Sequence, residues 1–225
     1  MASTVPTLRL ERTLMREGAR LVIGMDEVGR GAIAGPVAVG LSIVDELTRT
    51  APEGLKDSKL LPEPKREELQ PKVARWARHA SVGMASNERI ESIGIIAALG
   101  LAARRALDAV REQGVDLTGA VVLLDGSHDW LSPAIDGALP VVTRVKADRA
   151  CAAVAGASVL AKVTRDRLMI EKDAEHPGYV WTSNKGYASA EHYAGIDRVG
   201  PSPLHRWSWL RGPALFDLDG AVEIA

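Results

Sequence analysis

The sequence has few of the residues that crosslink or anchor a protein. Its 225 residues include one cysteine, Cys151, which excludes an internal disulfide framework and is typical of the reducing cytoplasm. Aromatic residues make up only 4%, so the core must consist mainly of alanine, valine, leucine and isoleucine. The first twenty residues contain no apolar run of signal-peptide length, and no uncharged stretch is long enough to cross a bilayer. We therefore expect a cytoplasmic protein without a membrane segment.

Hydrophobic residues make up 46% of the chain, which is enough for one large domain or a main domain with a small appendage. The formal net charge of −1 gives no whole-protein argument for binding a polyanion. Locally, residues 144–211 contain eleven Lys/Arg against seven Asp/Glu. A polyanion would be attracted to this C-terminal third, although on charge alone ordinary variation along a chain is the better explanation of the imbalance.

Apolar runs separated by turn residues predict an α/β domain with a mixed sheet. A leading helix over 8–18 precedes a buried strand over 21–25, and a strand over 37–44 follows closely enough for antiparallel pairing. Further strands are predicted at 80–85, 120–124 and 141–145, and helices at 60–78 (divided at Pro71), 90–113 and 150–175. Residues 176–209 are predicted to be largely irregular. This order of elements indicates a central sheet flanked by helices.

Three of the predicted strands end in acidic residues. Asp26 and Glu27 follow the first strand, Asp125 follows the fourth, and Asp148 lies just beyond the fifth. Ligands of α/β sheets bind where the carboxyl ends of the strands meet. Carboxylates gathered there repel one another unless a cation neutralises them, and hard oxygen ligands suit Mg²⁺ or Mn²⁺. Two such ions can activate water and stabilise the leaving oxygen in phosphodiester hydrolysis.

Each acid also has a purely structural interpretation. Asp125-Gly126 is typical of a tight turn, and Asp148 is placed to cap the helix that follows it. Asp26 and Glu27 are adjacent, so a regular strand would point them to opposite faces. Both can serve one site only if the strand twists or ends there. The pattern of strands and acids alone is therefore compatible with a metal site, but it does not exclude a purely structural role for each acid.

The tripeptide Gly29-Arg30-Gly31, just after the first acidic pair, is equally ambiguous. Glycines let the backbone approach a ligand closely, and an arginine between them can donate to phosphate. A tight surface turn with a solvated arginine is the more common meaning of such a tripeptide. The spacings of a Walker loop or a dinucleotide-binding fingerprint are absent.

The segment Gly24-Met-Asp-Glu-Val-Gly-Arg-Gly-Ala-Ile-Ala-Gly-Pro-Val37 resembles the opening signature of bacterial ribonuclease HII. Further blocks that resemble this family follow in the family's order, so the resemblance spans residues 20–209. They are 56–59, 125–126, 145–148, 154–158, 161–166, 185–187 and 200–206. Ala147 stands where the family often has glycine, and Gly156 lies in a stretch that is usually alanine. Neither departure affects an acid, and residues 210–225 match no part of the family.

The resemblance implies a ribonuclease H-like α/β fold, in which a central mixed sheet is flanked by helices and followed by a small C-terminal helical or irregular segment. It divides the chain into a lead-in helix (1–20), a catalytic domain (21–175) and a substrate-binding segment with its tail (176–225), packed on that domain. It also implies an endonuclease that cuts the RNA strand of RNA/DNA hybrids. The same enzyme would cut on the 5′ side of single ribonucleotides in duplex DNA, leaving 5′-phosphate and 3′-hydroxyl ends.

The resemblance assigns catalysis, and the binding of two Mg²⁺ or Mn²⁺ ions, to Asp26, Glu27, Asp125 and Asp148. Gly29-Arg30-Gly31 would read the ribose 2′-hydroxyl, and Tyr187 would stack on the adjoining deoxyribose. Further substrate contacts are expected from Lys59, Ser158, Lys162, His205 and Arg206. For Ser158 and Lys162, which share a helix face with Asp166, a polar stripe with one ion pair is an equally good explanation. No assembly motif is present, so a monomer is expected.

Three other functions compete with this interpretation. Ribonuclease HIII shares the fold but carries an additional N-terminal domain, whereas only twenty residues precede the first predicted strand here. A binding module without catalysis would carry a neutral residue in place of at least one of the four acids, and all four are acidic. A small-molecule phosphoesterase would need neither the segment around Tyr187 nor the basic C-terminal third.

Overall fold

Five strands form one mixed sheet in a computed structural model that describes residues 5–210. The first four residues of the predicted lead-in, and residues 211–225 of the predicted C-terminal segment and tail, lie outside the described range. The strands are β1 (Leu21–Val28), β2 (Val37–Val44), β3 (His79–Ala85), β4 (Ala120–Asp125) and β5 (Val141–Arg144). Their order across the sheet is β3-β2-β1-β4-β5, which confirms the predicted mixed sheet.

The central strand β1 has one antiparallel and one parallel neighbour. Its antiparallel register with β2 runs from Val22 opposite Val44 to Val28 opposite Ala38, as the short connection between them predicts. Its parallel register with β4 ends at Met25 beside Leu124. β2 pairs antiparallel with β3, and β4 pairs parallel with β5. The carboxyl ends of β1, β3, β4 and β5 therefore lie at one edge of the sheet.

Helices cover both faces of the sheet, as predicted. They are α1 (Arg9–Arg16), α2 (Glu63–Trp76), α3 (Asn87–Glu112), α4 (Ala147–Ala150), α5 (Ala152–Glu175), α6 (Trp181–Asn184) and α7 (Ala190–Val199). α3 packs on one face against β2 and β3, whereas α5 packs on the other face against β1 and β2, with α2 beside it. None of the helices within residues 5–210 combines the length and the apolar character that a bilayer crossing requires.

Small residues bring α5 unusually close to the two central strands. A Cβ atom at Gly24 of β1 would lie 2.3 Å from the carbonyl carbon of Ala153, and one at Gly40 of β2 would lie 2.1 Å from the Ala157 oxygen. The alanines that fill the first half of α5 complement these glycines, and the helix is buried there. This contact fixes the height of Ser158 and of the rest of α5 above the sheet.

Several predicted boundaries require correction. α2 is a single helix that continues through Pro71, whose exposed ring removes one amide donor without ending the helix. α3 is interrupted at Gly94, which has φ +78° and ψ 159°. The helix predicted over 150–175 begins at Ala152, because Cys151 is extended (φ −112°, ψ 120°) and separates α5 from the short helix α4 before it. The segment predicted to be irregular contains α7, which Ser189 caps by accepting from the His192 N–H.

The N-terminal segment is attached to the junction between α4 and α5. Thr7 forms a parallel bridge with Cys151, and the fully buried Glu11 accepts the Ala153 N–H at 2.9 Å through Oε1. A carboxylate at the first turn of a helix satisfies an unpaired amide and interacts favourably with the helix dipole. Burial raises the pKa of Glu11, which this amide partly offsets. Contacts from Thr7 and Glu11 of the N-terminal segment therefore fix the start of α5, which lies close to Asp148 in the sequence.

Candidate active site

The four predicted acids lie at the edge where β1, β4 and β5 end. Asp26 and Glu27 are near the end of β1, and Asp125 ends β4 one position beyond the paired Met25 and Leu124. Asp148 lies in α4, directly after β5, and its N–H donates to Asp125 Oδ1 at 3.3 Å. The sheet topology thus brings together acids that are far apart in the sequence.

Asp26 and Glu27 point to opposite faces of the sheet, as their adjacency predicts. Asp26 is on the side of Gly24, which faces α5, whereas Glu27 is on the side of Met25, which belongs to the core beneath α3. β1 remains regular through both positions. Burial is the main cause of the raised pKa of each carboxyl, and the negative charge of Asp125 adds to both, so the end of β4 interacts with both acids.

Burial is the main cause of raised pKa values among these acids. It raises the pKa of Asp26 well above the ordinary value, with Glu27 adding to the rise and the Ser158 hydroxyl opposing it. Burial also raises the pKa of Glu27. Burial, followed by the charges of Asp125 and Asp57, raises the pKa of Asp148 to about 6. Carboxylates that repel one another in a buried place are stabilised in their charged form by a bound cation.

The donor set fits a hard divalent cation. Asp148 Oδ1 is buried and has no hydrogen-bond partner among residues 5–210, so a lone pair there is available to a ligand. All four side chains offer carboxylate oxygen, which Mg²⁺ and Mn²⁺ prefer. In the part of the chain that the structure describes, no three His, Cys, Asp or Glu side chains are arranged to hold a metal ion by themselves. Mg²⁺ often binds through one or two carboxylates, with water and substrate phosphate completing its shell.

Asp57 is a fifth acid at this edge, which the sequence did not single out beyond its place in the block 56–59. It is 1% exposed, and its negative charge raises the pKa of Asp148. Its carboxylate accepts the Lys59 N–H at 2.9 Å and forms an ion pair with Arg149 Nε at 3.3 Å. Asp57 therefore fixes the turn that carries Lys59 and approaches the acids from the side of α2.

Lys59 supplies positive charge to the acidic edge. Burial lowers the pKa of its amino group, but the surrounding carboxylates outweigh burial and raise it. In decreasing order of influence they are Asp26, Asp57, Asp148 and Asp125. The residue is exposed, so its amino group can reach both the acids and a bound molecule.

The structure places the predicted loop and Tyr187 in contact. The Gly29 N–H donates to the Tyr187 hydroxyl at 3.1 Å, and the half-exposed Arg30 is 3.6 Å from Glu27. Gly31 is exposed, and a Cβ atom added there would meet no other atom within 4 Å. The ring of Tyr187 lies 5.7 Å from the Lys162 ammonium. The loop, the tyrosine and the acids therefore form one continuous surface.

Ser158 and Lys162 are both engaged with protein groups. The buried Ser158 donates to Ser58 Oγ at 2.8 Å, and Lys162 pairs with Asp166 at 2.7 Å. The predicted polar stripe and its ion pair are therefore present on α5. Lys162 also lies beside Tyr187, so the structure is compatible with both interpretations of this face.

The predicted substrate contacts of His205 and Arg206 are corrected by the structure, because both side chains are fully buried. His205 Nδ1 accepts the Ser202 N–H at 2.8 Å, and its Nε2 lies 3.0 Å from His192 Nε2. Arg206 donates to the carbonyl oxygen of Gly29 at 2.7 Å. These residues therefore support the loop from below and do not face a phosphate.

Sequence comparisons with known proteins indicate one family. The family model described as ribonuclease HII matches residues 23–212. A ribonuclease HII from Streptomyces avermitilis is 45% identical over 206 residues, which cover 91% of this chain and 83% of that protein. Another from Caulobacter vibrioides is 42% identical over 192 residues, or 85% of each chain. The crystal structure of ribonuclease H2 from Pyrococcus horikoshii has the same fold (TM-score 0.61, 22% identity, 87% of this chain and 95% of that chain).

Proposed function

The chain belongs to the ribonuclease HII family, and on that premise we propose that it cuts next to single ribonucleotides embedded in duplex DNA. Family membership makes it a hydrolase, a ribonuclease H that acts as an endonuclease on the RNA strand of RNA/DNA hybrids. Incision on the 5′ side of a lone ribonucleotide is the finer proposal. The observation that carries it is the hydrogen bond from the Gly29 N–H to the Tyr187 hydroxyl.

That hydrogen bond supports junction recognition for a geometric reason. A junction between RNA and DNA differs from plain duplex in one 2′-hydroxyl and in the sugar that follows it. Backbone amides of Gly29-Arg30-Gly31 can donate hydrogen bonds to the 2′-hydroxyl. The ring of Tyr187 can stack on the deoxyribose that follows, where a second hydroxyl would fit badly. Because the two elements are in contact, they can read neighbouring nucleotides at the same time.

We assign the cleavage chemistry to the acidic edge beside this loop. Asp26, Glu27, Asp125 and Asp148 would hold Mg²⁺ or Mn²⁺. A neighbour with the same fold, Bst-RNase HIII, forms a crystalline complex with Mn²⁺ (TM-score 0.62, 20% identity, 83% of this chain and 65% of that chain). Two bound ions would activate the attacking water and stabilise the leaving 3′-oxygen, so that a 5′-phosphate and a 3′-hydroxyl remain. Lys59 would contact the phosphate, and its charge reduces the repulsion among the acids.

The proposed organisation assigns catalysis to 21–175 and substrate contact to 176–210. The segment 176–210 contains Tyr187, which contacts the loop at Gly29, and the buried Arg206, which donates to the Gly29 carbonyl oxygen. Its helix α6 packs against α5. We further propose a monomer of the cytoplasm, which the single buried cysteine fits.

The decisive assay uses a labelled DNA duplex that contains one ribonucleotide, incubated with Mg²⁺ or with Mn²⁺. We expect a single cut on the 5′ side of the ribonucleotide, with a 3′-hydroxyl that a polymerase can extend. The same duplex without the ribonucleotide is the matched control and should stay intact. A chain that cuts a long RNA/DNA hybrid but leaves the single ribonucleotide intact in both metals would overturn the finer proposal while preserving the ribonuclease H activity.

A further inference from the structure

Two fully buried arginines lie beneath the loop over 29–36. Arg165 belongs to α5, and Arg206 follows the Pro-rich turn after α7; neither side chain is exposed. Within residues 5–210, no carboxylate lies within the 4.0 Å of an ion pair from either guanidinium. Burying an arginine without an acidic partner is costly, and the cost is tolerated only where every donor finds an acceptor.

Arg206 directs its donors to the carbonyl groups of the loop. Its Nη2 donates to the Gly29 oxygen at 2.7 Å and to the Gly35 oxygen at 3.1 Å. Its Nη1 donates to the Arg30 oxygen at 2.9 Å. The planar guanidinium thus joins both ends of the loop in one rigid fork, which a lysine could not reproduce.

Arg165 binds the far side of the same loop. Its Nε donates to the Pro36 oxygen at 2.8 Å, and its Nη2 to the Ala34 oxygen at 3.0 Å. Its Nη1 donates to the Lys185 oxygen at 2.8 Å, which ties the loop to the segment that carries Tyr187. The two arginines together hold five carbonyl groups of the loop towards the protein interior.

This arrangement leaves two amides of the loop unused. The N–H of Gly29 is taken by Tyr187, and those of Ala32, Ile33, Ala34 and Gly35 donate to backbone carbonyls. In the described part of the chain, the N–H groups of Arg30 and Gly31 have no acceptor. With the carbonyls turned inward, these two amides and the open space at Gly31 are available to a ligand.

We propose that Arg165 and Arg206 are positioning residues for substrate specificity, which aim the Arg30 and Gly31 amides at the ribose 2′-hydroxyl. This inference rests on the proposed function, since it concerns the discrimination of ribose from deoxyribose. Burial, and then the neighbouring charge of Arg165, lowers the pKa of Arg206 to about 9, so the guanidinium remains protonated at neutral pH. The pair of charges also makes the loop more attractive to an oxygen ligand than its glycines alone would.

The test compares binding to two duplexes that differ in one 2′-hydroxyl. Arg165→Lys and Arg206→Lys are each combined with Asp125→Asn, so that the duplex is not cut, and affinities are measured by fluorescence anisotropy. We expect the preference for the ribonucleotide-containing duplex over the all-DNA duplex to fall at least about tenfold, since lost polar contacts cause strong losses of discrimination. In the cutting-competent background, kcat/KM at the junction should fall about a hundredfold through misplacement of the loop.

Arg20→Lys is the matched control, because Arg20 also donates to backbone carbonyls, those of Asp116 and Thr118, at the opposite end of the sheet. It should leave the preference unchanged. Guanidinium added to Arg206→Ala should restore part of the junction cleavage, which a general loss of folding would not allow. An unchanged preference in both lysine variants, or an equal loss in Arg20→Lys, would overturn the inference.

Hydrogen exchange on the unmodified protein provides a readout that does not depend on the variants' folding. We expect the amides of Ala34 and Gly35 to exchange as slowly as those of β1, and exchange at the rate of a free loop would refute the positioning role. If the proposed function itself fails, the Asp125→Asn protein will show no preference for the ribonucleotide duplex before any arginine is changed. The two failures are therefore distinguishable.

Discussion

The Nε atom of Arg165 lies 2.1 Å from the point where a side chain at Gly29 would begin. Gly29 also has φ +82°, a conformation that favours glycine. Gly31 differs on both counts, because its φ is not positive and its missing side chain leaves open space. One glycine of the loop is thus required by the interior, whereas the other leaves room for a second molecule.

Alanine substitutions at the two glycines should therefore have different effects. Gly29→Ala should lower the free energy of unfolding by about 2–4 kcal/mol, because it combines backbone strain with a clash against Arg165. Gly31→Ala should leave that free energy within about 0.5 kcal/mol but reduce junction cleavage at least tenfold, because the new methyl group occupies the space for the ribose. Urea denaturation and kinetics with the single-ribonucleotide duplex measure the two effects. A Gly31→Ala enzyme with full activity would contradict the proposed use of this space.

Asp125 is the acid whose charge affects both Asp26 and Glu27. Asp125→Asn should reduce cleavage by about a thousandfold or more while sparing duplex binding, since the amide keeps the shape but cannot supply the charge that a metal ion requires. Asp116→Asn, before the other end of β4, is the control and should cut normally. Full activity in Asp125→Asn would remove Asp125 from the site.

Asp148 should make the metal-free protein less stable at neutral pH. Its pKa is about 6 in the folded chain against 3.8 as the ordinary value, so the folded state favours the protonated form. The contribution of Asp148 to the free energy of unfolding is therefore fully present below pH 4, and it is lost as the pH rises through 6. Asp148→Asn, which stays neutral, should be more stable than the unmodified protein by about 1–3 kcal/mol at pH 7 and no more stable at pH 4.

Urea denaturation in the presence of a chelator measures this difference at both pH values. Added Mg²⁺ should stabilise the unmodified protein more than Asp148→Asn, because the ion binds the folded state through the carboxylates. If the substitution is destabilising at pH 7, repulsion among the acids is not the dominant effect at this position.

His205 should have the opposite effect on the pH dependence of the free energy of unfolding. Burial, and then the charge that His192 can carry, lowers its pKa from 6.5 to about 4. The unfolded chain therefore takes up a proton between these values, so stability is complete above pH 6.5 and falls as the pH drops towards 4. The free energy of unfolding that is lost through His205 reaches about 3 kcal/mol. His205→Asn, which keeps a donor and an acceptor, should have a shallower acid dependence, measured by thermal unfolding across this range.

The strand ends and their acids could be predicted because local patterns determine them. Apolar runs set the strands, and the order of strands and helices sets a shared carboxyl edge, so Asp125 and Asp148 are found from the sequence. The buried role of Arg206 could not be predicted in this way. It follows Gly200-Pro-Ser-Pro-Leu, a stretch rich in glycine and proline without periodicity, and its burial depends on distant contacts with the carbonyls of the loop over 29–36. Helix α7 was hidden for a similar reason, since His192 and Gly195 interrupt its apolar pattern.

The attachment of the N-terminal segment has a consequence for synthesis. Glu11 and its partner Ala153 are 142 positions apart, so the first helix cannot dock until most of the chain has left the ribosome. The β1–β2–β3 meander consists of neighbouring segments and can pair early, but its face for α5 stays uncovered until then. The last acid, Asp148, emerges just before α5. Nascent chains shorter than this therefore lack the acidic edge, and the nuclease is inactive until nearly complete.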